Sequence, residues 1–258
     1  MAQDSGAQRR AEAAALKAEA DKQASRDKRV KVLGGIAVAV VAVGIVFAGY
    51  LGAQSAKPST PTADPSAKSP TGVTSTYGFP VAPVDSAKST LVIFEDPQCP
   101  ICKLFEEQFA SSIRSLVTAG KLNLVYQMAT FIDDNLPQSK QASRRAIAAL
   151  GCAIDQGKGL EYHDLVYANQ PATEGDGYSD ELLRKLGGTA GLTGKKLTAF
   201  QKCFDDGSYL GWADNANQYF RDENIPGTPN LVLDGTTIPD TEMASVDTLM
   251  AYLNKNLK

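Results

Sequence analysis

Thr90-Leu91-Val92-Ile93-Phe94-Glu95-Asp96-Pro97-Gln98-Cys99-Pro100-Ile101-Cys102 is the segment on which the reading of this sequence turns. Its first five residues form an apolar run suited to a buried parallel strand. Pro97 marks a turn. A helix is expected from near Cys99, because Phe105, Phe109, Ile113 and Leu116 recur at three- and four-residue spacing before Gly120 ends the pattern. Cys99 then falls at or beside the helix N-cap, and Pro100 fits the first turn, where a missing N–H costs nothing. The free N–H groups and the positive end of the helix dipole face the Cys99 sulfur and favour thiolate over thiol. Cys102 lies one turn further on, on the side of Phe105 and Phe109. The pattern predicts an exposed attacking sulfur at Cys99 and a shielded resolving sulfur at Cys102.

Zinc is the competing use of a Cys-x-x-Cys pair, and it needs two more ligands at suitable spacing. Cys152 and Cys203 stand singly, and His163 is the only histidine. The pair is therefore read as redox-active, with no metal and no cofactor. Cys152 and Cys203 each sit in an apolar, helix-like stretch without a helix-start signal. They are read as a structural disulfide, with two free buried thiols as the alternative.

Outward from the motif, Leu122-Asn123-Leu124-Val125-Tyr126-Gln127-Met128 reads as a second strand. Strand, helix, strand makes a βαβ unit with a right-handed crossover. Residues 139–222 read as helical throughout, in pieces broken at Gly175–Gly177 and Gly187–Gly194. Residues 230–238 read as a β-hairpin turning at Asp234-Gly235, and Val246–Leu257 as an amphipathic helix. The order βαβ, helical block, ββ, α predicts an α/β thioredoxin fold with an inserted helical domain, spanning 77–258. Lone Trp212 suits either core or the wall of a client groove.

Upstream, residues 32–51 are twenty apolar residues without a charge, long enough at 1.5 Å each to cross about 30 Å of hydrocarbon. Arg26, Lys28, Arg29 and Lys31 lie directly before them. The positive-inside rule makes 1–31 a cytoplasmic tail, 32–51 a single transmembrane helix, and the rest extracytoplasmic. A cleaved signal peptide is the alternative, with Ala53 and Ser55 as a weak cleavage site. Residues 52–76, rich in Pro, Ser and Thr, read as a flexible tether. The chain carries a net charge of −3. An acidic body with no basic stripe argues against nucleic acid as a partner.

The stretches Phe94 to Cys102, Glu161-Tyr162-His163-Asp164-Leu165-Val166-Tyr167-Ala168-Asn169-Gln170 and Ile225-Pro226-Gly227-Thr228-Pro229-Asn230 together resemble the DsbA-like branch of the thioredoxin superfamily. The anchor with Cys152 and Cys203 is similar to the actinobacterial type, which the resemblance implies carries a second disulfide in its helical domain. It further implies that Cys99 is the nucleophile, Cys102 the resolving thiol, and Thr228–Pro229 the cis-proline loop that meets substrate; from sequence alone a trans bond is the default. Thiols of exported proteins are the implied substrates, and a DsbB or vitamin-K-epoxide-reductase type of membrane protein the implied reoxidase. Oxidation of exported proteins is the leading expectation, with a reductase or isomerase, or a client-binding module without turnover, as rivals. Two positions depart from the family. Ile101 stands where strongly oxidising members carry His, and Ile93 where many carry an acid six residues before the first Cys. Glu95 and Asp96 are read as facing elsewhere on the alternating strand.

Overall fold

In a computed structural model, which describes residues 63–83 and 87–258, five strands form one sheet. They are β1 (Phe79–Pro80), β2 (Thr90–Glu95), β3 (Asn123–Met128), β4 (Asn230–Leu233) and β5 (Thr236–Thr237), arranged β1-β3-β2-β4-β5. β2 and β3 run parallel, with Thr90 opposite Asn123 and Glu95 opposite Met128. Helix α1 (Pro100–Thr118) makes the crossover between them. β4 runs antiparallel to β2 with Phe94 opposite Asn230, so the chain leaving β2 and the chain entering β4 meet at one end of the sheet. That shared end is what brings Cys99 and Pro229 together. The Asp234-Gly235 turn has φ of 48° and 83°, the left-handed pair that a tight two-residue hairpin requires.

Successive strand side chains face opposite ways. Leu91 and Ile93 point to one face and pack with Phe105, Phe109 and Ile113 of α1 and with Leu249 and Leu253 of the last helix. Val92 and Phe94 point to the other and pack against Phe220 and Tyr219. Each large apolar side chain buried in this way contributes about 1.5–3 kcal/mol.

Seven further helices follow α1 among the described residues: α2 (Phe131–Asn135), α3 (Ala142–Asp155), α4 (Gly159–Ala168), α5 (Asp180–Thr189), α6 (Gly194–Asp205), α7 (Leu210–Asp222) and α8 (Val246–Asn256). Two details differ from the sequence reading. The helical block begins at Phe131, in a five-residue helix too short to show periodicity. Gly187 and Gly188 lie inside α5 and do not end it, and the break falls at residues 190–193. A Cβ on Gly187 would sit 2.3 Å from the Phe200 ring, so glycine there lets α5 and α6 approach closely. Cys152 of α3 and Cys203 of α6 are joined, with Cα atoms 5.8 Å apart. Trp212 is fully buried, its indole N–H donating to the Tyr77 carbonyl at 3.1 Å, which places it in the core and not in a groove wall.

The described part of the tether, residues 63–76, is docked on the helices. Asp64 N–H donates to Asn215 Oδ1 at 2.8 Å while Asn215 Nδ2 donates to Asp64 O at 2.7 Å. Thr71 N–H donates to Asp155 Oδ1 at 2.8 Å, Lys68 sits over the Tyr209 ring, and Pro70 is buried. Polar side chains 84 to 151 residues downstream supply these partners, which is why local composition reads the stretch as free. Asn215→Ala removes both Asp64 bonds. It is expected to cost about 1–2 kcal/mol and to open 63–76 to limited proteolysis; unchanged cleavage would show that the docking does not depend on Asn215. Residues 32–51, read as a membrane span, lie outside the described residues. Among the described residues no helix is long and apolar enough to cross a membrane.

Candidate active site

Cys99 is the N-cap of α1, extended at φ −71° and ψ 117°, and Pro100 opens the helix. The Cys99 thiol donates to the Thr228 carbonyl at 3.3 Å, and the Thr228–Pro229 bond is cis. The loop entering β4 therefore lies against the sulfur. Both cysteines are free thiols. Cys99 is only 6 % exposed, less open than the sequence reading supposed, because that loop partly covers it; Cys102 is fully buried. Around them Ile101 and Leu104 are more than half exposed.

The two thiols are driven apart in acidity. A hydrogen bond from Cys102 lowers the Cys99 pKa to about 6, against its burial, with help from the Thr228 side chain and from the Cys102 and Ile101 amides of the first helical turn. Burial pushes Cys102 well above an ordinary thiol, and its contact with Cys99 and the charge of Glu95 push it further. Alkylation of Cys99 by iodoacetamide is accordingly expected to follow a titration with a midpoint near pH 6, with Cys102 unmodified across that range. A midpoint near pH 9, the value of an unassisted thiol, would show that the helix start and Thr228 do not act on the sulfur.

The helical block grips the loop between β2 and α1 by its carbonyls. Tyr167 Oη donates to Asp96 O at 3.2 Å, Tyr178 Oη to Pro97 O at 2.6 Å, and Gln170 Nε2 to both Pro97 O and Cys99 O at 2.9 Å. Asp96 is fully buried and holds the loop from the other side. It accepts from Gln98 N–H at 2.8 Å, Ser143 Oγ at 2.5 Å and Ile132 N–H at 2.8 Å. Burial raises its pKa to about 8 in spite of these donors. The sequence reading assigned no role to Tyr167, Gln170, Tyr178 or Asp96, although Asp96, Tyr167 and Gln170 lie in stretches that carried the resemblance.

Glu95 overturns one expectation. It lies two residues after Ile93, and side chains at i and i+2 share a strand face. Like Ile93 it is fully buried, and its charge reaches Cys102. The acid is thus displaced by two positions along the same face. Its Oε2 lies 3.0 Å from His163 Nε2 of α4. His163 Nδ1 lies 3.2 Å from Asp164 Oδ1. Arg114 donates to both Asp164 oxygens at 2.7 Å and to Glu106 Oε2 at 2.8 Å. Burial opposes charge on His163, but Asp164, Glu95 and Glu106 outweigh it and bring the pKa up to about 9. Glu106, His163 and Asp164 bring ligand atoms within 4.8 Å of one another, and the Arg114 guanidinium already bonds both carboxylates of that trio.

A thioredoxin family model matches residues 80–255. Among solved structures the chain is similar to MdbA, a thiol-disulfide oxidoreductase from Actinomyces oris, at a TM-score of 0.61 and 17% identity, covering 77% of this chain and 98% of that one. It is similar to BdbD from Bacillus subtilis at 0.59 and 20% identity, covering 73% and 97%. It is also similar to DsbA from Mycobacterium tuberculosis at 0.54 and 22% identity, covering 76% and 92%. A curated relative, the serine/threonine-protein kinase PknE of Mycobacterium tuberculosis, is 31% identical over 159 residues. The chain spans only 28% of that kinase's length, and the match covers 59% of this chain.

Proposed function

The chain belongs to the thioredoxin family and carries its DsbA-like fold, and on that premise we propose that it is a thiol–disulfide oxidoreductase that introduces disulfides into exported proteins through Cys99 and Cys102. The observation that carries this reading is the split between the two thiols. One sulfur sits at a helix N-terminus beside Thr228 with its pKa brought down to about 6, and the other is buried and held protonated.

In the oxidised enzyme a substrate thiolate attacks Cys99 Sγ, and the electron pair of the Cys99–Cys102 bond leaves on Cys102. Cys102 takes up a proton, for which Glu95 is the adjacent carboxyl. A second substrate thiolate attacks the substrate sulfur of the mixed disulfide and expels Cys99 as a thiolate. Its low pKa makes it a good leaving group and stabilises the reduced enzyme. The substrate backbone lies along Thr228, next to the cis Pro229, and its apolar side chains meet Ile101 and Leu104.

The body works outside the cytoplasm, held by residues 32–51 as an anchor, and a DsbB or vitamin-K-epoxide-reductase type of membrane protein reoxidises it. The Cys152–Cys203 disulfide suits an oxidising compartment. Oxidised protein mixed with a reduced two-cysteine peptide should yield one peptide disulfide per enzyme dithiol formed. A peptide that stays reduced beside an enzyme that stays oxidised would overturn the assignment.

A further inference from the structure

The catalytic turn holds two peptide planes that end in proline, Asp96–Pro97 and Cys99–Pro100. Such a plane has a carbonyl oxygen but no N–H, so hydrogen bonds can orient it only through that oxygen. Asp96 O accepts from Cys99 N–H at 3.0 Å and from Tyr167 Oη at 3.2 Å. Cys99 O accepts from Lys103 N–H at 3.2 Å, the first bond of the α1 ladder, and from Gln170 Nε2 at 2.9 Å. Among the described residues, Gln170 is thus the side chain that holds the peptide leaving the nucleophile.

Gln170 is itself held in place. Pro171 follows it and disfavours a helical conformation in the residue before, so the chain leaves α4 at this point. The Gln170 N–H donates to Tyr167 O at 3.1 Å, and the residue is half-buried. Its carboxamide has two N–H donors. One reaches Pro97 O and the other Cys99 O, both at 2.9 Å, so a single planar group straddles the turn. Tyr178 Oη shares Pro97 O at 2.6 Å but makes no bond to Cys99. Losing Gln170 would leave Pro97 O a donor. It would leave Cys99 O with the Lys103 bond alone, at a helix start, where ends fray. A carbonyl freed of that donor can also turn its partial negative charge toward the thiolate.

From this geometry, and resting on the redox reading above, we infer that Gln170 is a positioning residue for the nucleophile: its carboxamide pins the Cys99–Pro100 peptide so that the first-turn amides stay aimed at Cys99 Sγ. Gln170 touches no reacting atom and acts through Cys99. The amides of Ile101 and Cys102 bond the sulfur only while α1 starts at Cys99 in this orientation. Each turnover needs that orientation when the mixed disulfide breaks, because the electron pair then returns to Cys99 and the departing sulfur is a thiolate. Without Gln170, Cys99 is the poorer leaving group and the reduced enzyme is less stabilised. The helical block thereby acts on the exchange chemistry through a bond that spans 71 residues. The reactivity of the pair is set partly from outside both the Cys99–Cys102 segment and the Thr228–Pro229 loop. Cys102 and Tyr167 are the titratable side chains packed against Cys99, and substitution at Gln170 leaves both in place.

The test compares wild type, Gln170→Leu, Gln170→Glu and Tyr178→Phe by the pH midpoint for alkylation of Cys99, by equilibrium with glutathione, and by urea unfolding. Gln170→Leu is expected to raise the midpoint by about one pH unit, the equivalent of one net hydrogen bond. Near neutrality its glutathione equilibrium should move about fivefold toward the enzyme disulfide, from the thiolate that such a shift removes. Gln170→Glu keeps the size of the side chain but turns a carboxylate on both carbonyls, and should raise the midpoint further. Tyr178→Phe loses a bond to Pro97 O and none at Cys99. It should cost similar stability and raise the midpoint about half as far or less. A Gln170→Leu midpoint equal to that of wild type refutes the inference. Equal shifts in Gln170→Leu and Tyr178→Phe refute it too, since general loosening of the loop would account for both. Should Gln170→Leu not fold, Gln170→Glu decides by the same comparison. A wild-type pair that never equilibrates with glutathione would overturn the redox reading instead, and the midpoints would still decide the role of Gln170.

Discussion

Cys99→Ser is expected to bring disulfide transfer to a reduced substrate protein down to the rate seen without enzyme, while Cys102→Ser, first charged at Cys99 as its mixed disulfide with a small thiol, exchanges that thiol for a single-cysteine substrate and leaves a stable mixed disulfide with it. The asymmetry follows from position. Only Cys99 lies at the helix start beside Thr228, where the Cys102 thiol and two backbone amides hold its thiolate. Serine keeps the size of the side chain, yet an alkoxide is too basic to form there near neutrality, and no sulfur is left to exchange. Cys102 is fully buried and cannot receive a substrate thiolate directly. Its loss leaves Cys99 able to accept a substrate but leaves no internal thiol to release it. Trapped substrate, seen as a species that disappears on adding reductant, is the measurement. Full exchange activity in Cys99→Ser would show that the chemistry lies elsewhere or that the domain only holds its clients.

Cys152→Ala/Cys203→Ala is expected to lower the unfolding free energy by about 4 kcal/mol without altering the reactivity of Cys99. The bond closes a loop across a sequence separation of 51 residues, and the chain-entropy model gives a value of that order for such a loop. It ties α3 to α6. α3 also carries Ser143, one of the donors to Asp96, so the bond braces the block that grips the catalytic loop. Local grip at Ser143, Tyr167, Gln170 and Tyr178 persists without it, which is why stability and not thiol acidity should respond. The urea midpoint and the alkylation profile of Cys99 separate the two. A midpoint that does not move would mean that the unfolded chain is not constrained by this bond.

The parts of the fold that were legible in the sequence are those fixed by local pattern. The apolar run from Leu91 to Phe94, the spacing of Phe105, Phe109 and Ile113, and Pro100 behind Cys99 each act within a turn or two of chain. They place β2, α1 and the N-cap without knowledge of the rest. β1 has two residues and α2 five, too few for any period to register. The docked segment 63–76 looks like a tether because its partners, Asp155, Tyr209 and Asn215, come from distant helices.

The site divides in the same way. The acidity expected of Cys99 needs only the helix start, but its cover by Thr228 depends on a pairing across 129 residues. Strand alternation does reveal Glu95, once it is counted from Ile93. Its partner His163 is 68 residues away, and the Gln170 contacts to Pro97 O and Cys99 O span 73 and 71. Periodicity within α4 shows that His163 belongs to a helix, and only the packing of that helix against α1 and β2 shows which carboxyls it serves.

The equilibrium of the Cys99–Cys102 pair with glutathione, read by alkylation and mass spectrometry on residues 63–258, tests the central claim most directly. A nucleophile with its pKa near 6 stabilises the reduced enzyme more than thioredoxin's does, and less than that of the strongest known oxidant of this kind. The account predicts a potential more oxidising than about −230 mV. A value near or below about −270 mV, that of a reductant such as thioredoxin, would contradict it.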